Sequence, residues 1–345
     1  MNALKTSSLL VLVLSVILVT ILSAGCTTPT TPPATPTATA TQVPATSIAT
    51  TATAPNATTA APTPVPHSPN SLLIATTTSL YDTGLLNRIQ DVYQNETGVT
   101  LKITSQGTGQ AIQLAQRGDA DLLLVHSPAQ EQTFINNGYG INQRCFAYNY
   151  FVIVGPASDP AKIANMTPTA ALTQIRAYGM NGTPGVYFVS RGDQSGTNTA
   201  EINLWTKAGF NYTNNVSGSG PWYLAIGKGM GDTLTFANQK GAYTLSDEGT
   251  FLAYKSKLNL TILIQNNTQL LNRYSAIAVN PAQNPNVNIV QADRFINWLL
   301  SPEGRTVVGT YGVADYGKPL FTPLLPDTCS QPQFNCTCGG NVTPV

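Results

Sequence analysis

The segment SRGDQSGTNTAEINLW, residues 190–205, places an arginine, an aspartate, several hydroxyls and two glycines directly before a stretch with helical character. A helix N-terminus carries unpaired N–H groups and a partial positive charge. Glycine lets a ligand approach the backbone, and hydroxyls add further hydrogen-bond donors. Residues of these types in this order predict a cradle for a small anion.

Two further segments have the same design. TTTS, residues 76–79, and TSQGTGQ, residues 104–110, each lie between a predicted strand and a predicted helix. Ser and Thr are also good N-caps, so one such turn says little about function. Three of them favour a ligand site, because strand-to-helix turns gather at the carboxyl ends of the strands in α/β sheets.

Arg191 is the one fixed cation in these three turns. Its guanidinium suits an oxyanion, and Asp193 lies close enough in sequence to orient it. The alternative is an ordinary Arg–Asp pair on the surface. Asp193 could accept a hydrogen bond from a protonated anion such as hydrogen phosphate, whereas behind a fully ionised anion it can only support the direct ligands.

Other chemistries fit the sequence less well. The Arg-Gly-Asp triplet occurs in adhesion loops, but here a strand precedes it and a helix cap follows. A Ser–His–Asp hydrolase would need His126, since His67 lies in the predicted stalk, and no G-x-S-x-G elbow is present. His126 is therefore interpreted as a packed or cleft-edge residue. We expect no enzyme activity and no cofactor.

Metal and nucleotide motifs are also incomplete. No cluster of His, Cys and carboxylates has metal-ligand spacing. GTGQAI lacks the third glycine of a dinucleotide fingerprint, and GKGMGDT, residues 227–233, has no Ser or Thr directly after its lysine, as a P-loop would. GKGMGDT is instead predicted to form a turn and helix cap that faces the same cleft as the three hydroxyl-rich turns.

The N-terminus predicts export. Residues 1–25 have a single lysine, an apolar run over residues 9–22 and small residues at the end, which is typical of a signal peptide and too short for a membrane span of about 20 residues. The ending Ser-Ala-Gly-Cys resembles a lipoprotein signal, with Cys26 lipidated. The expected location is the outer face of the cytoplasmic membrane, and plain secretion is the alternative.

Residues 26–70 form a Thr/Pro/Ala-rich stretch without charge, which predicts a disordered stalk after Cys26. Cleavage of the signal peptide removes Lys5 and lowers the formal charge from +1 to 0. The sequence therefore predicts no nucleic-acid partner, and membrane contact through the lipid alone. Glycosylation of an exterior surface is indicated by several Asn-x-Ser/Thr acceptors: Asn95, Asn165, Asn181, Asn211, Asn215, Asn259 and Asn266.

Residues 71–326 alternate short apolar strands with amphipathic helices, which predicts an α/β fold. This stretch is long for one compact core, and its length suits two lobes. Two long strands, residues 148–156 and 274–281, are predicted to cross between them. The expected organisation has lobe 1 at residues 71–150 plus 280–326, lobe 2 at 151–279, and a Cys-rich tail at 327–345.

Several motifs in the same order closely resemble the tungstate-binding family of ABC-transporter substrate-binding proteins: ATTTSLYDTGLL, GTGQAI, GDADLLLVHSPAQE, NYFVIVGP, VSRGDQSGT, GKGMGDTL, KGAYTLSDEGTFLA and YGKPLF. Single pieces also resemble molybdate and phosphate receptors. The resemblance spans residues 72–321 and implies a two-lobe clamshell of the periplasmic-binding-protein-like (type II) class. A monomer of this kind would close on tungstate and deliver it to a membrane permease driven by an ATPase.

The resemblance and the residue chemistry meet at the same positions. The expected oxyanion ligands are Thr78, Ser79, Gly107, Thr108, Arg191, Ser195, Gly196 and Thr197. A donor-only shell would exclude hydrogen phosphate, which needs an acceptor, and the smaller sulfate would leave longer hydrogen bonds. Molybdate is almost the same size as tungstate, so the sequence does not separate the two.

The tail departs from the family pattern. With Cys26 lipidated, the even set Cys145, Cys329, Cys336 and Cys338 remains in an oxidising setting, which indicates disulfides. A Cys336–Cys338 bond would be strained by its short spacing. We therefore predict that Cys145 pairs with one tail cysteine and that the other two pair with each other; a metal site is the alternative.

Two functional classes follow. The first is a transport receptor for tungstate or, alternatively, for molybdate, phosphate or sulfate. The second is a protein that does not transport, namely an oxyanion sensor or a surface adhesin on the same fold.

Overall fold

The computed structural model describes residues 67–342. The predicted signal peptide, Cys26 and most of the predicted stalk lie outside these residues. His67, assigned to the stalk above, is instead attached to the fold, since its Nδ1 lies 2.6 Å from the buried Asp121 carboxylate and its N–H donates to the Asn286 carbonyl. Across residues 67–342, none of the helices combines the length and the apolar character that crossing a membrane requires.

Ten strands and twelve α-helices lie between residues 67 and 342. The strands are β1 Ser71–Thr77, β2 Thr100–Gln106, β3 Leu122–Val125, β4 Gly140–Pro156, β5 Phe188–Ser190, β6 Tyr223–Ala225, β7 Tyr243–Asp247, β8 Leu260–Ile264, β9 Leu271–Val279 and β10 Thr322–Pro323. The helices are α1 Thr78–Tyr81, α2 Leu85–Thr97, α3 Thr108–Arg117, α4 Pro128–Asn136, α5 Pro168–Met180, α6 Gly196–Lys207, α7 Met230–Lys240, α8 Glu248–Tyr254, α9 Ile289–Leu299, α10 Pro302–Thr310, α11 Val313–Tyr316 and α12 Pro326–Cys329.

The helices that frame the first two turns follow the sequence pattern. Helix α2 buries Leu85, Leu86, Ile89 and Tyr93 on one face and ends at Gly98, whose left-handed backbone caps it. Helix α3 begins directly after Gly107 and is closed by a left-handed glycine in the same way. Helix α3 starts where β2 ends, and the short helix α1, which precedes α2, starts where β1 ends, so the turn residues lie at the edge of the sheet.

The strands form two mixed sheets that share β4. The first sheet has the order β2-β1-β3-β9-β4, with β10 on β4, and β1 is parallel to β2 and β3. The second contains β7, β5 and β6 beside the far half of β4, with β8 also on β4, and β5 is parallel to β6 and β7. Parallel strands followed by helices give the predicted α/β architecture.

Strand β4 is the first crossover predicted from the sequence. Residues 140–150 pair with β9 in the first sheet, and residues 151–154 pair with β7 in the second. The chain returns to the first sheet between β8 and β9. Strand β9 was assigned to lobe 2 above, but it pairs with β3 and β4 of the first sheet, because its register brings Ile277 and Ala278 opposite β3.

Each sheet is covered on both faces, as expected where helices flank parallel strands. Around the first sheet, Leu86, Tyr93 and Phe295 belong to one buried cluster, and Ile112, Phe134 and Ile277 to another. The second sheet has a cluster rich in aromatic residues and an aliphatic cluster; their largest members include Phe188, Trp205, Trp222, Leu234 and Phe251.

The two predicted kinds of disulfide are present, one from the tail to the first sheet and one within the tail. Cys145 on β4 is bonded to Cys336, and Cys329 is bonded to Cys338. The Cys145 N–H also donates to the Thr337 carbonyl over 2.8 Å. The two bonds together use the thiols of all four cysteines, so the structure has disulfides here and not the alternative metal site.

We predict that Cys145→Ser exposes the Cys336 thiol alone among the remaining cysteines of this cluster. Alkylation of the unfolded, unreduced protein followed by peptide mass spectrometry measures this. The bond closes a segment of 191 residues, and its loss should cost about 2–5 kcal/mol of unfolding free energy. Cys329→Ser is the matched control and should expose Cys338. Alkylation of Cys338 in the Cys145→Ser protein would contradict the pairing.

Candidate functional site

Three turns at the carboxyl ends of parallel strands build the site. The first joins β1 to α1, the second joins β2 to α3, and the third, residues 191–195, joins β5 to α6. The hydroxyls of Thr77 and Ser195 cap α1 and α6 by accepting N–H groups of Leu80 and Asn198. The first two turns belong to the first sheet and the third to the second sheet.

Arg191 joins the first and third turns. Its guanidinium is 2 % exposed and donates to the Ser79 hydroxyl over 3.0 Å and to the Thr78 hydroxyl over 2.9 Å. It also pairs with the Asp193 carboxylate at 2.5 Å. A cation this deeply buried needs compensating partners. The pair is therefore not the exposed surface ion pair that the sequence left open.

The other predicted residues extend this contact. The hydroxyls of Ser79 and Thr197 lie 3.3 Å apart, across the two sheets. The Gly196 N–H donates to the Thr108 hydroxyl over 3.1 Å, which attaches the second turn to the third. A side chain at Gly107 would lie 3.1 Å from the Asp193 carbonyl, so glycine permits this close approach. The structure thus brings all eight predicted residues together.

The hydroxyls of the site are set up as donors. Each of four hydroxyl oxygens accepts an N–H: Thr78 and Ser79 from Arg191, Thr108 from Gly196, and Ser195 from Asn198. A hydroxyl has one hydrogen to donate and lone pairs that accept. Because N–H groups occupy lone pairs, the hydroxyl hydrogens are left to point at an acceptor. This arrangement suits an anion with several oxygens.

Asp193 supports the loop with both carboxylate oxygens. Oδ2 accepts from Arg191, and Oδ1 accepts from the Ser195 N–H over 3.2 Å. These bonds fix the turn in front of α6. Gln194, between them, has φ of +59°, an unfavourable value for a side chain other than glycine that costs about 1–3 kcal/mol. Its carbonyl accepts from the Gln130 side chain of α4, so contacts from the first sheet hold this backbone.

A fourth element completes the rim, as predicted for residues 227–233. Helix α7 begins at Met230, whose N–H lies 3.4 Å from the Thr78 hydroxyl. The next N–H, that of Gly231, donates to the Asp82 carboxylate over 3.2 Å. The α7 N-terminus of the second sheet therefore contacts α1 and the residue after it on the first sheet.

Glu201 supports the third turn, and sequence reasoning missed it. It is 2 % exposed on α6 and accepts hydrogen bonds from Ser190, Tyr223 and Trp205. Burial raises the pKa of its carboxyl from 4.5 to about 7, against the lowering effect of these donors. Asn198 bridges to the same Ser190 hydroxyl. Glu201 thereby fixes the residue directly before Arg191.

Asp247 and Thr250 form another link that the sequence did not indicate. The Thr250 hydroxyl lies 2.7 Å from the Asp247 carboxylate and 2.9 Å from the Ser79 carbonyl. Asp247 is fully buried at the start of α8, and burial raises the pKa of its carboxyl to about 6. This contact holds α1 of the first sheet against α8 of the second.

His126 is a packed residue, in agreement with its interpretation above. Its ring stacks on Tyr274, and its Nδ1 lies 2.9 Å from the Asn272 side-chain oxygen. Burial lowers the pKa of its imidazole to about 4, so it is neutral at pH 7. A side chain at Gly196 would come within 2.9 Å of the His126 ring, which explains why glycine begins α6 here.

Residues 67–342 contain no group of three or more His, Cys, Asp or Glu side chains that could hold a metal ion. The donor set of the site, made of hydroxyls, N–H groups and a guanidinium, suits an anion instead.

The fold has two sheets flanked by helices, which share a crossover strand and meet at buried groups that can donate hydrogen bonds to an anion. These features together define a class of binding protein. A family model described as a PBP superfamily domain matches residues 36–303 of the chain.

Similar proteins indicate the family within this class to which the chain belongs. The tungstate-binding protein TupA of Peptoclostridium acidaminophilum is 41% identical over 256 residues, which are 73% of this chain and 85% of the relative. The structure of TupA from Desulfovibrio alaskensis G20 is 40% identical, with a TM-score of 0.61, over 74% of this chain and 98% of that one. The structure of the tungstate ABC transporter from Geobacter sulfurreducens is 39% identical, with a TM-score of 0.62, over 70% of this chain and 98% of that one. The chain therefore belongs to the PBP superfamily and, within it, to the family of the TupA proteins.

We predict that Glu201→Gln removes a pH dependence of stability. The folded protein holds the Glu201 proton up to about pH 7, whereas the unfolded chain releases it near pH 4.5. The free energy of unfolding should therefore fall as the pH rises from 4.5 to 7, by about 3 kcal/mol at about 1.4 kcal/mol per pKa unit. Urea unfolding at several pH values measures this.

The Gln side chain keeps the shape and one accepting oxygen, its amide nitrogen can donate to a hydroxyl in place of the second oxygen, and it carries no titrating proton. Part of the slope should persist in the variant, because the pKa of Asp247 is raised as well. Glu303→Gln on the exposed start of α10 is the control and should keep the full slope. An unchanged slope in Glu201→Gln would contradict the role of burial.

Proposed function

We propose that this protein binds tungstate at the three turns and delivers it to the permease of an ABC importer. The observation that carries the proposal is the buried Arg191 surrounded by hydroxyls that accept N–H groups and so donate outward. The TupA relatives, whose names describe tungstate binding, support the same ligand. The direct ligands are Thr78, Ser79, Gly107, Thr108, Arg191, Ser195, Gly196 and Thr197.

The donor-only character of the site favours tungstate over phosphate. Tungstate is a dianion without a proton at neutral pH, so every oxygen accepts. Hydrogen phosphate carries a proton that needs an acceptor, and the candidate acceptor, Asp193, directs one oxygen to Arg191 and the other to the Ser195 N–H. Leaving a buried polar group unpaired costs about 1–3 kcal/mol. Sulfate is smaller and would make longer hydrogen bonds to the same donors.

Molybdate is the remaining competitor, because it is almost the same size as tungstate and equally free of protons. The same donors would serve both ions. Isothermal titration with tungstate, molybdate, sulfate and phosphate ranks them directly.

Ligand capture by closure follows from the position of the turns. Ser79 on the first sheet is hydrogen-bonded to Arg191 and Thr197 on the second, and Thr108 on the first sheet accepts from the Gly196 N–H of the second. An anion between them would interact with both lobes only when these approach each other. The ion would therefore select the closed arrangement. We propose the lobes as residues 71–150 with the C-terminal part, and residues 151 to about 270.

The expected cellular context follows from the N-terminus and the family. We propose that the signal peptide directs export and that Cys26 is lipidated. Residues 27–66 would then connect the folded part to the lipid anchor on the outer face of the cytoplasmic membrane. The protein would act as a monomer, and its partners would be a permease and the ATPase of that permease. The receptor itself would catalyse no reaction.

Adhesion through the Arg-Gly-Asp triplet has no support. The Arg191 side chain is 1% exposed and the Asp193 side chain 12%, and the two are paired with each other. A cell-surface receptor would need both groups presented outward. The geometry favours the transport receptor over the adhesin.

We predict that micromolar tungstate raises the melting temperature of the purified protein. A ligand that binds only the folded state stabilises it by about 2.7 kcal/mol at a concentration of about 100 Kd. Sulfate and phosphate at the same concentration are the controls and should leave the melting temperature unchanged. Differential scanning fluorimetry measures the shift. Equal shifts with tungstate and sulfate would contradict the donor-only argument.

We predict that Arg191→Ala weakens tungstate binding by about 2–5 kcal/mol, because the variant loses a buried charge with two hydroxyl partners. Isothermal titration measures this. Arg191→Lys keeps the charge without the planar fork and should lose less, which separates a binding defect from a folding defect.

The matched control is Arg117→Ala, which removes an exposed arginine paired with Asp119. It should change the binding free energy by less than about 0.5 kcal/mol. If Arg191→Ala folds and also loses less than this amount, Arg191 lies outside the ligand shell.

A further inference from the structure

A cavity lies beside Gly196, at the His126 ring that this glycine packs against. It has a volume of about 340 Å³ and is lined from both sheets: Ser127 directly precedes α4 on the first, Thr199 and Asn203 lie on α6 of the second, and strands β4 and β9 contribute Phe151 and Leu271. We call it the crossover cavity. Its volume is at the lower end of the range of about 300–1,000 Å³ typical of small-molecule sites.

Two buried polar groups at this cavity have no partner among residues 67–342. Ser127 is 1% exposed, and its hydroxyl makes no hydrogen bond. It occupies the cap position of α4, yet it does not cap the helix. His126 is 3% exposed, and its Nε2 is likewise unpaired. Buried polar groups normally have partners, so two neighbouring exceptions that line one cavity point to a ligand.

The two unpaired groups differ in what they need. The Asn272 amide nitrogen donates to Asn149 and Tyr274, so its oxygen faces His126 Nδ1, which must carry the hydrogen. His126 Nε2 is then an acceptor. Ser127 and the uncapped first turn of α4 are donors. The cavity thus offers donors and one acceptor side by side.

The charges around the cavity favour an anion. Lys207 and Arg273 line it, and its lining, as far as residues 67–342 provide it, contains no carboxylate. Glu131, behind the wall, lies 3.3 Å from Arg273 and offsets part of its charge. The N-terminus of α4 adds a partial positive charge. Apolar walls from Phe151, Leu204 and Leu271 leave room for a short hydrocarbon part.

We propose that the crossover cavity binds a small hydroxycarboxylate, with its carboxylate at the Ser127 hydroxyl and the first turn of α4 and its hydroxyl donating to His126 Nε2. This ligand satisfies both unpaired groups, and a bare tetrahedral oxyanion does not, because it has no hydrogen to donate. Of the proposed oxyanion ligands only Gly196 lines this cavity, and occupation of the cavity does not rest on the proposed function.

Lactate is the probe for the direct test. Ligand-observed NMR titration of the purified protein should show saturable lactate binding in the millimolar range. Propionate lacks the hydroxyl and lactamide lacks the charge, so each should bind at least about tenfold more weakly. Absence of saturable lactate binding, or equal binding of lactamide, overturns the proposal. Equal binding of propionate overturns the assignment of His126 as the acceptor.

Ser127→Ala should weaken lactate at least about tenfold and leave the melting temperature nearly unchanged, since this hydroxyl makes no bond in the fold. Thr133→Ala is the matched control, because it removes an exposed hydroxyl from the same helix and should keep wild-type lactate affinity. Ala200→Leu narrows the cavity and should abolish binding. Wild-type lactate affinity in both Ser127→Ala and Ala200→Leu would overturn the site.

A bound hydroxycarboxylate would touch α4 and α6, which belong to different sheets. Lactate should therefore tighten tungstate binding, and tungstate should tighten lactate binding by the same factor. This arm rests on the proposed function, whereas the NMR titration does not. Lactate binding without any tungstate binding would reject the proposed function and keep the second site. Independent binding of the two ligands would contradict the bridging position.

Discussion

Burial of the Arg191 guanidinium is the constraint on which the site depends. A buried cation is costly unless it is paired and hydrogen-bonded, and here Asp193 supplies the charge while Thr78 and Ser79 supply acceptors. Those acceptors come from the other sheet, so the same contacts that compensate the cation also join the two halves of the fold. The charge of the Arg–Asp pair cancels, and an arriving dianion would meet donors without meeting a free acceptor.

The surrounding structure serves to hold this cation in place. Glycines at positions 107 and 196 lack the Cβ that would come within 3.1 Å of the Asp193 carbonyl and 2.8 Å of the His126 carbonyl, and Glu201 holds the residue before Arg191. The unfavourable backbone of Gln194 persists because α4 binds its carbonyl. Strand β4 passes through both sheets, so this strand and the return to β9 connect the two parts of the fold that carry the turns. The disulfide from Cys145 fastens the tail beside that crossing.

The sequence predicted what depends on local chemistry. Helices α2 and α3 follow from apolar spacing and terminal glycines, and the three turns follow from hydroxyls and glycines at strand-to-helix junctions. Arg191 stood out because it was the one cation there. The sheet of β9 was not predictable, because a strand buried on both faces reads the same in either sheet. Glu201 and Asp247 were missed because their importance lies in burial and in partners distant along the chain.

Gly196 connects the two sites in a single residue. Its N–H belongs to the oxyanion site through Thr108, and its bare Cα faces His126 and the crossover cavity. The two sides differ in chemistry, since one offers donors to a fully ionised anion and the other adds one neutral acceptor. His126 stays neutral because burial lowers the pKa of its ring, and that burial exists because Gly196 packs against it. Any side chain at this position would therefore disturb the acceptor on one side and the donor on the other, which makes this glycine the physical link between the two sites.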